Sequence, residues 1–364
     1  MKWLFVYPVC PAPIGGLKQI RLIASLFRER GSDAQLLIDY RDLPTTTDDA
    51  KYYDVSVPTF PLPFPQAGSS LTAEDVVVFP EHHLDRYLDE TANWPCRFGV
   101  FNQNGFGALV TRPSPRVVRR RIEFVMGVSP YTLSLSHYFF GIPWDRLFLV
   151  PPWVVRGPFE WDGEIVVPRE LGICYMPRKM PDAIERVRGR LMESEPSVPW
   201  VPIDGLPESA VASILHRHSI FFSTQNREGF GLPAVEAMAC GCLPVGYSGC
   251  FPFPPPYATD ENGLWARERS VNSAIQRLRQ GIEIVREGGP RYSALLACGR
   301  TTANAYSKPA IVAAVDAVAD AVTRGHYLKN VPHARFGLQA YLASLYILAR
   351  KQRLQLGDLV QSPF

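Results

Sequence analysis

Apolar residues in this chain arrive in short blocks separated by amphipathic stretches, and the alternation repeats. Residues 2–9 form a first apolar run, the turn CPAPIGG follows, and from Leu17 to Arg30 apolar side chains recur at Leu17, Ile20, Ile23, Ala24 and Phe27. That spacing predicts one face of a helix, closed by Gly31, and AQLLIDY after it predicts a second strand. DVVVFPE (75–81) predicts a strand, HHLDRYLDETA a helix, and RFGVFNQN a strand ending in polar residues. FVMGVS and RLFLVPP continue the series. Between them, Pro44 to Ser70 is rich in Pro, Thr and aromatics without a period, which predicts a long surface loop near a cleft.

PPWVVRGP (151–158) carries no periodic signal and reads as a linker. A second series then begins. ELGICYMPRK is a strand running into a basic turn, DAIERVRGRLME a helix, VPWVPID a strand, ESAVASILHRH a helix and IFFST a strand. LPVGYSG and the helix SVNSAIQRLRQGIEIVREG follow. Two βαβ series joined by a linker predict an α/β protein of two facing Rossmann-like domains with a cleft between them. The expected bounds are 1–152 and 153–309, with helices over 310–364.

Composition narrows the class. A length of 364 residues fits two domains, and 46% hydrophobic with 20% charged residues supports substantial cores. A net charge of +3 is too small for wholesale nucleic-acid binding. The seven cysteines form no CxxC pair, and Cys240 and Cys242 stand one residue apart, a poor metal spacing, so free thiols in a reducing cytoplasm are expected. MKWLFVYPVC is too short for a signal peptide and reads as a buried strand. No stretch reaches the roughly 18 apolar residues of a membrane span. RPSPRVVRRR gathers Arg112, Arg116, Arg119, Arg120 and Arg121, a solvated helix face that also suits peripheral contact with an anionic membrane.

The most informative stretch is QNREGFGLPAVEAMACGCLPVG, from Gln225 to Gly246. Pro233 suits the start of a short helix and Gly241 its end. Glu228 then lies on the loop before the helix and Glu236 in or near its first turn. Gly229 and Gly231 allow close approach of the backbone, so amides at the positive end of the helix can face an anion. Two carboxylates that accept hydroxyl bonds beside a phosphate-sized anion site describe a pocket for a sugar nucleotide. Gly15 and Gly16, after the first strand, bring further amides to a phosphate. The full GxGxxG fingerprint is missing, and Asp39 lies close to those glycines for a ribose-binding acid, which weakens a nicotinamide reading.

Taken in order, Gly15-Gly16-Leu17, VSPYTLSLSHYFFGIPWDRLFLVPP, YMPRK and the glutamate helix resemble the retaining glycosyltransferases of the GT-B fold, family 4 in particular, over roughly residues 2–285. The resemblance implies a nucleotide-sugar donor and a glycan, lipid-linked or small-molecule acceptor. It implies no cofactor and no metal, basic side chains and amides offsetting the diphosphate charge. The chain has no DxD triplet, and Asp48-Asp49 reads as solvated. By the resemblance, Glu228 faces the donor sugar and Glu236 the ribose. Arg178 and Lys179 hold the diphosphate, Arg178 carrying the larger share. Phe230, Gly231 and Leu232 contribute amides, and the base lies near Val201 to Leu206, at Ile203 and Leu206. Asn102, Gln103 and Asn104 stand on the acceptor side, where many relatives keep a His, with His82 and His83 as a second candidate pair. The terminal FGLQAYLASLYILA is expected to cross back onto the first domain. A non-catalytic nucleotide-sugar-binding protein and a nucleotide-sugar epimerase or hydrolase remain open alternatives on the same fold.

Overall fold

Strand β1 (Lys2–Pro8) is buried from Trp3 to Tyr7, apolar on both faces, and a strand of that kind is stable only between covering layers. Helix α1 (Gly15–Glu29) covers one face, setting Phe27 against Trp3 with ring centroids 4.6 Å apart. Each such side chain contributes about 1.5–3 kcal/mol on leaving water. The computed structural model describes residues 1–12, 14–40, 53–105, 114–160, 169–226, 228–249, 255 and 257–327.

The first sheet adds β2 (Asp33–Asp39), β3 (Val76–Pro80), β4 (Arg97–Asn102), β5 (Ile122–Gly127) and β6 (Leu147–Leu149) in the order β2-β1-β3-β4-β5-β6. All its pairings are parallel. Helices α2 (Leu84–Glu90), α3 (Pro115–Arg121) and α4 (Pro130–Phe140) connect them. The second sheet contains β7 (Glu170–Tyr175), β8 (Trp200–Pro202), β9 (His218–Thr224), β10 (Leu243–Tyr247) and β11 (Leu264–Trp265). Its order is β11-β10-β9-β7-β8. Its connecting helices are α5 (Pro181–Met192), α6 (Glu208–Arg217), α7 (Leu232–Ala239), α8 (Val271–Glu287) and α9 (Gly289–Asn304).

In both sheets the chain starts in the interior, adds its second strand on one side and its third on the other. Strand order therefore reverses between β1 and β3, and again between β7 and β9. A crevice opens at the carboxyl ends of the strands at each such point, because the flanking connections leave on opposite faces. One apolar cluster, which includes Phe5, Ile20, Phe230, Val235 and Met238, draws on both halves.

Helix α10 (Lys308–Arg324) returns to the first half. It buries Ile311, Val315, Val318 and Val322 in that shared core, pairs Asp316 with Arg30 at 2.8 Å, and offers the Val322 carbonyl to Arg97 at 2.8 Å. The two chain crossings run side by side, since the amides of Val154 and Val155 both donate to the Tyr306 carbonyl. FGLQAYLASLYILA lies outside the described residues.

Two expectations change. The aperiodic stretch before Ser70 is no surface loop from Tyr53 onward. Tyr53, Val57, Phe60, Phe64 and Ala67 are buried, and Thr59 bridges to Leu36 at the sheet edge. Tyr53 and Val57 join one core cluster and Phe60, Phe64 and Ala67 another, so the stretch passes from one to the other at the β2 edge and carries no helix or strand period. The helix expected from His82 begins instead at Leu84, because His83 takes a left-handed backbone (φ 56°) that a helix cannot continue.

Candidate active site

The glutamate motif folds as its residue types dictate. Strand β9 ends at Thr224, and Gly231 adopts φ 94°, a conformation that favours glycine, before α7 opens at Leu232 with Pro233 in its first turn. The helix stops at Cys240, with Gly241 at φ 74° beyond it. A Cβ on Gly231 would lie 1.7 Å from Gln225 Oε1. The Gln225 amide and the Tyr257 hydroxyl both donate to the Gly231 carbonyl, at 3.2 and 3.1 Å. Phe230 is buried against Tyr257 and Tyr306, with centroids 5.1 and 4.8 Å away.

The first half meets this loop directly. A Cβ on Gly229 would fall 2.0 Å from the Gln103 carbonyl, and the Ser129 hydroxyl donates to the Gly229 carbonyl at 2.8 Å. Gln103 also donates its side-chain amide to the Gly16 carbonyl at 3.1 Å. A Cβ on Gly15 would lie 2.8 Å from Leu232 Cδ1, so the first turns of α1 and α7 touch. Neither helix has a side-chain cap at its N-terminus, Ile14 and Gly231 occupying the cap positions. Two uncapped N-termini thus present amide donors and positive dipole ends to one place. The Tyr53 hydroxyl fixes the approach to α1, accepting from the Ile14 amide and donating to its carbonyl.

Charges gather around this junction. On the turn after β7, Lys179 forms an ion pair with Glu228, whose side chain is 15% exposed. Arg178, one residue earlier, is exposed. The structure thus brings Lys179 to Glu228 and sets Arg178 beside them on the same turn. Glu236 lies one turn into α7, where Lys18 of α1 reaches it at 2.7 Å.

Among the other expected residues, Asn102 is buried, its amide donating to Ser136 Oγ and the Thr132 carbonyl, so its side chain is turned into α4 rather than toward the cleft. Gln103 and Asn104 are half-buried at the strand exit. The Ile203 side chain packs beneath the second sheet with Phe159 and Phe221, and Leu206 lies partly buried against the same cluster. Asp39 is buried and accepts from the Tyr87 hydroxyl at 2.9 Å. His82 and His83 follow β3 just outside the buried Glu81.

Sequence reading missed several contributors, Glu81 above all. It sits at the carboxyl end of β3, 2% exposed, and accepts from the Gln103 amide at 3.1 Å, with His82 Nε2 3.4 Å away. Burial raises its carboxyl above the ordinary range, although His82 and the Gln103 and Asn104 amides pull the other way. Ser129, Gln225 and Tyr257 also went unread. Ser129 and Tyr257 find their partners far along the chain, Gln225 binds the loop that it opens, and only the proline-flanked SP of Ser129-Pro130 signalled a helix cap.

The family model described as glycosyl transferases group 1 matches residues 203–284. An alpha-1,6-glucosyltransferase of Actinobacillus pleuropneumoniae serotype 7 is 35% identical over 88 residues, 24% of this chain and 27% of that protein. This chain therefore aligns with about a quarter of that relative's length. Among solved structures, HepE of Anabaena in complex with UDP superposes with a TM-score of 0.63 at 13% identity, covering 89% of this chain and 100% of that one. The sucrose-phosphate synthase of Thermosynechococcus elongatus gives 0.62 at 12% identity, covering 89% and 99%. The chain has the GT-B fold, and its residues 203–284, which include Glu228 and Glu236, match the glycosyl transferases group 1 family model.

Proposed function

We propose that this protein is a retaining glycosyltransferase of the family 4 type. It moves a sugar from a nucleotide-sugar donor to a hydroxyl of a glycan, lipid-linked or small-molecule acceptor, without a metal. The observation that carries the reading is the contact of two uncapped helix N-termini, at Gly15 and Leu232, beside the Lys179–Glu228 pair. A diphosphate leaving group gains negative charge as the sugar–phosphate bond breaks, and fixed donors and cations aimed at it lower the barrier by several kcal/mol. The amides of α1 and α7, Lys179 and the exposed Arg178 supply that field.

Glu228 binds the sugar hydroxyls and Glu236 the ribose. The likeness to a protein solved with UDP favours uridine as the base. Gln103 and Asn104 orient the acceptor hydroxyl, and neutral amides do not take its proton. That proton passes to the departing phosphate oxygen as the acceptor oxygen bonds to the anomeric carbon on the face the diphosphate leaves, which retains the configuration. Contact with an anionic membrane runs through α3, where Arg116, Arg119 and Arg120 are exposed around Val117. The protein acts in the cytoplasm, at that inner face.

A thermal-shift screen of sugar nucleotides, followed by product analysis with candidate acceptors, tests the reading. Glycosylated product with a retained anomer is expected, and it should form equally in excess EDTA. Binding without turnover would identify a non-catalytic module, free sugar alone a hydrolase, and an activity that vanishes with EDTA a metal-dependent enzyme.

A further inference from the structure

Four charged side chains form a buried cluster where the two halves meet. Lys18 of α1 places Nζ 2.7 Å from Glu236 Oε1 and 2.5 Å from Glu208 Oε1, and Arg156 of the connecting segment pairs with Glu208 Oε2. All four side chains are less than 10% exposed. The Lys18 ammonium also stands 4.6 Å over the ring of the buried Phe159. Burial works to raise the Glu208 carboxyl, and the charges of Lys18 and Arg156 outweigh it, leaving it below the ordinary carboxylate range. Two cations and two anions balance, which meets the requirement that buried charges be paired.

The cluster is asymmetric. Among the described residues Arg156 pairs with Glu208, whereas Lys18, which comes from the first half, reaches both carboxylates. A compact ammonium with three donors suits that bridging place better than a planar fork. Its second target is the residue assigned above to the donor ribose.

We propose that Lys18 is the positioning residue for Glu236. It anchors Oε1 so that Oε2 is presented to a ribose hydroxyl, and it supplies that anchor from the opposite half of the molecule. The nucleotide subsite is then complete only while α1 lies against α7. This rests on the ribose reading of Glu236, and the experiment separates the two.

UDP binding is measured by calorimetry on the full chain, wild type first. Lys18→Met is expected to weaken UDP by about tenfold or more, the scale of one charged hydrogen bond. Lys18→Arg should restore part of it. In a Glu236→Ala background Lys18→Met should change UDP affinity less than twofold, while in a Glu228→Ala background it should cost as much as in wild type. A merely structural lysine would give the same loss in both backgrounds, and that result overturns the proposal. So does UDP binding by Lys18→Met at wild-type strength while Glu236→Ala loses it. Failure of Glu236→Ala to affect UDP would instead remove the ribose reading, and the proposal with it. Should Lys18→Met not fold, Lys18→Met/Glu208→Gln keeps the buried charges balanced. It should show the tenfold loss that Glu208→Gln alone does not, and equal affinities for those two would also refute the role of Lys18.

Discussion

Glu81 and Glu228 occupy corresponding places in the two halves. Each follows the third strand of a sheet whose order reverses beside that strand, so each stands where a crevice opens. Glu81 follows β3 at once, is shut away from solvent, accepts from the Gln103 amide at the exit of β4 and has His82 beside its other oxygen. Glu228 follows β9 after a loop of a few residues, keeps 15% of its side chain exposed and meets Lys179. The same topological position thus holds one carboxylate that shapes the backbone and one turned to the cleft. Loop length makes the difference: a residue on the last turn of a strand is covered by its neighbours, and one carried outward by a glycine-containing loop is not.

The sharpest break of this comparison comes at Lys179. If the Lys179–Glu228 pair is the working end of the cleft, Lys179→Ala should lower kcat by about 100-fold, near 3 kcal/mol of transition-state stabilisation. Arg178→Ala should cost about tenfold, one charge-assisted contact. Steady-state kinetics at saturating donor checks the order, and a larger loss at Arg178 would return the diphosphate to that residue.

The two carboxylates of the motif should separate by ligand. Glu236→Ala should weaken both UDP and intact donor by about 10- to 100-fold, the effect of leaving hydroxyls unpaired. Glu228→Ala should weaken the intact donor or its turnover and spare UDP. Equal losses in calorimetry with both ligands would cancel the assignment of Glu228 to the sugar.

A smaller effect is expected at the seam between the halves. Gly229→Ala places a Cβ 2.0 Å from the Gln103 carbonyl, and neither backbone can yield without separating α7 from β4. A stability loss of about 1–3 kcal/mol, read from denaturant melts, follows from overpacking of this kind. Gly189→Ala, with nothing within 4 Å of its Cβ, is the matched control and should not destabilise.

The least effect belongs to Glu81. Burial raises its folded carboxyl above the unfolded value of about 4.3, so its contribution to stability is full below about pH 4 and is lost as pH climbs through the folded value. Glu81→Gln does not titrate. Its melting temperature should therefore gain on wild type as pH rises above about 4, by a few degrees at most. A difference independent of pH would show that the Glu81 carboxyl has the same pKa in the folded and the unfolded chain.

Much of the frame was legible in the order of residues. Strands apolar on both faces, such as WLFVY and SIFFST, alternate with amphipathic helices, and that alternation specifies parallel sheets because period and burial are local properties of the chain. Gly231, Pro233 and Gly241 marked the turn, start and stop of α7 for the same reason: each acts through its own backbone angles. The pairings lay beyond that reach. Lys18 and Glu236 are 218 positions apart, Ser129 and Gly229 are 100 apart, and nothing in either neighbourhood marks the other as its partner. That Lys179 pairs with Glu228 was equally out of reach, because the direction in which a side chain leaves a turn is not set by its place in the sequence. Local chemistry thus determined which elements form and which residue types stand at their ends. Only the packing of the two sheets decided which of those ends face one another, because burial and charge pairing are properties of the assembled core.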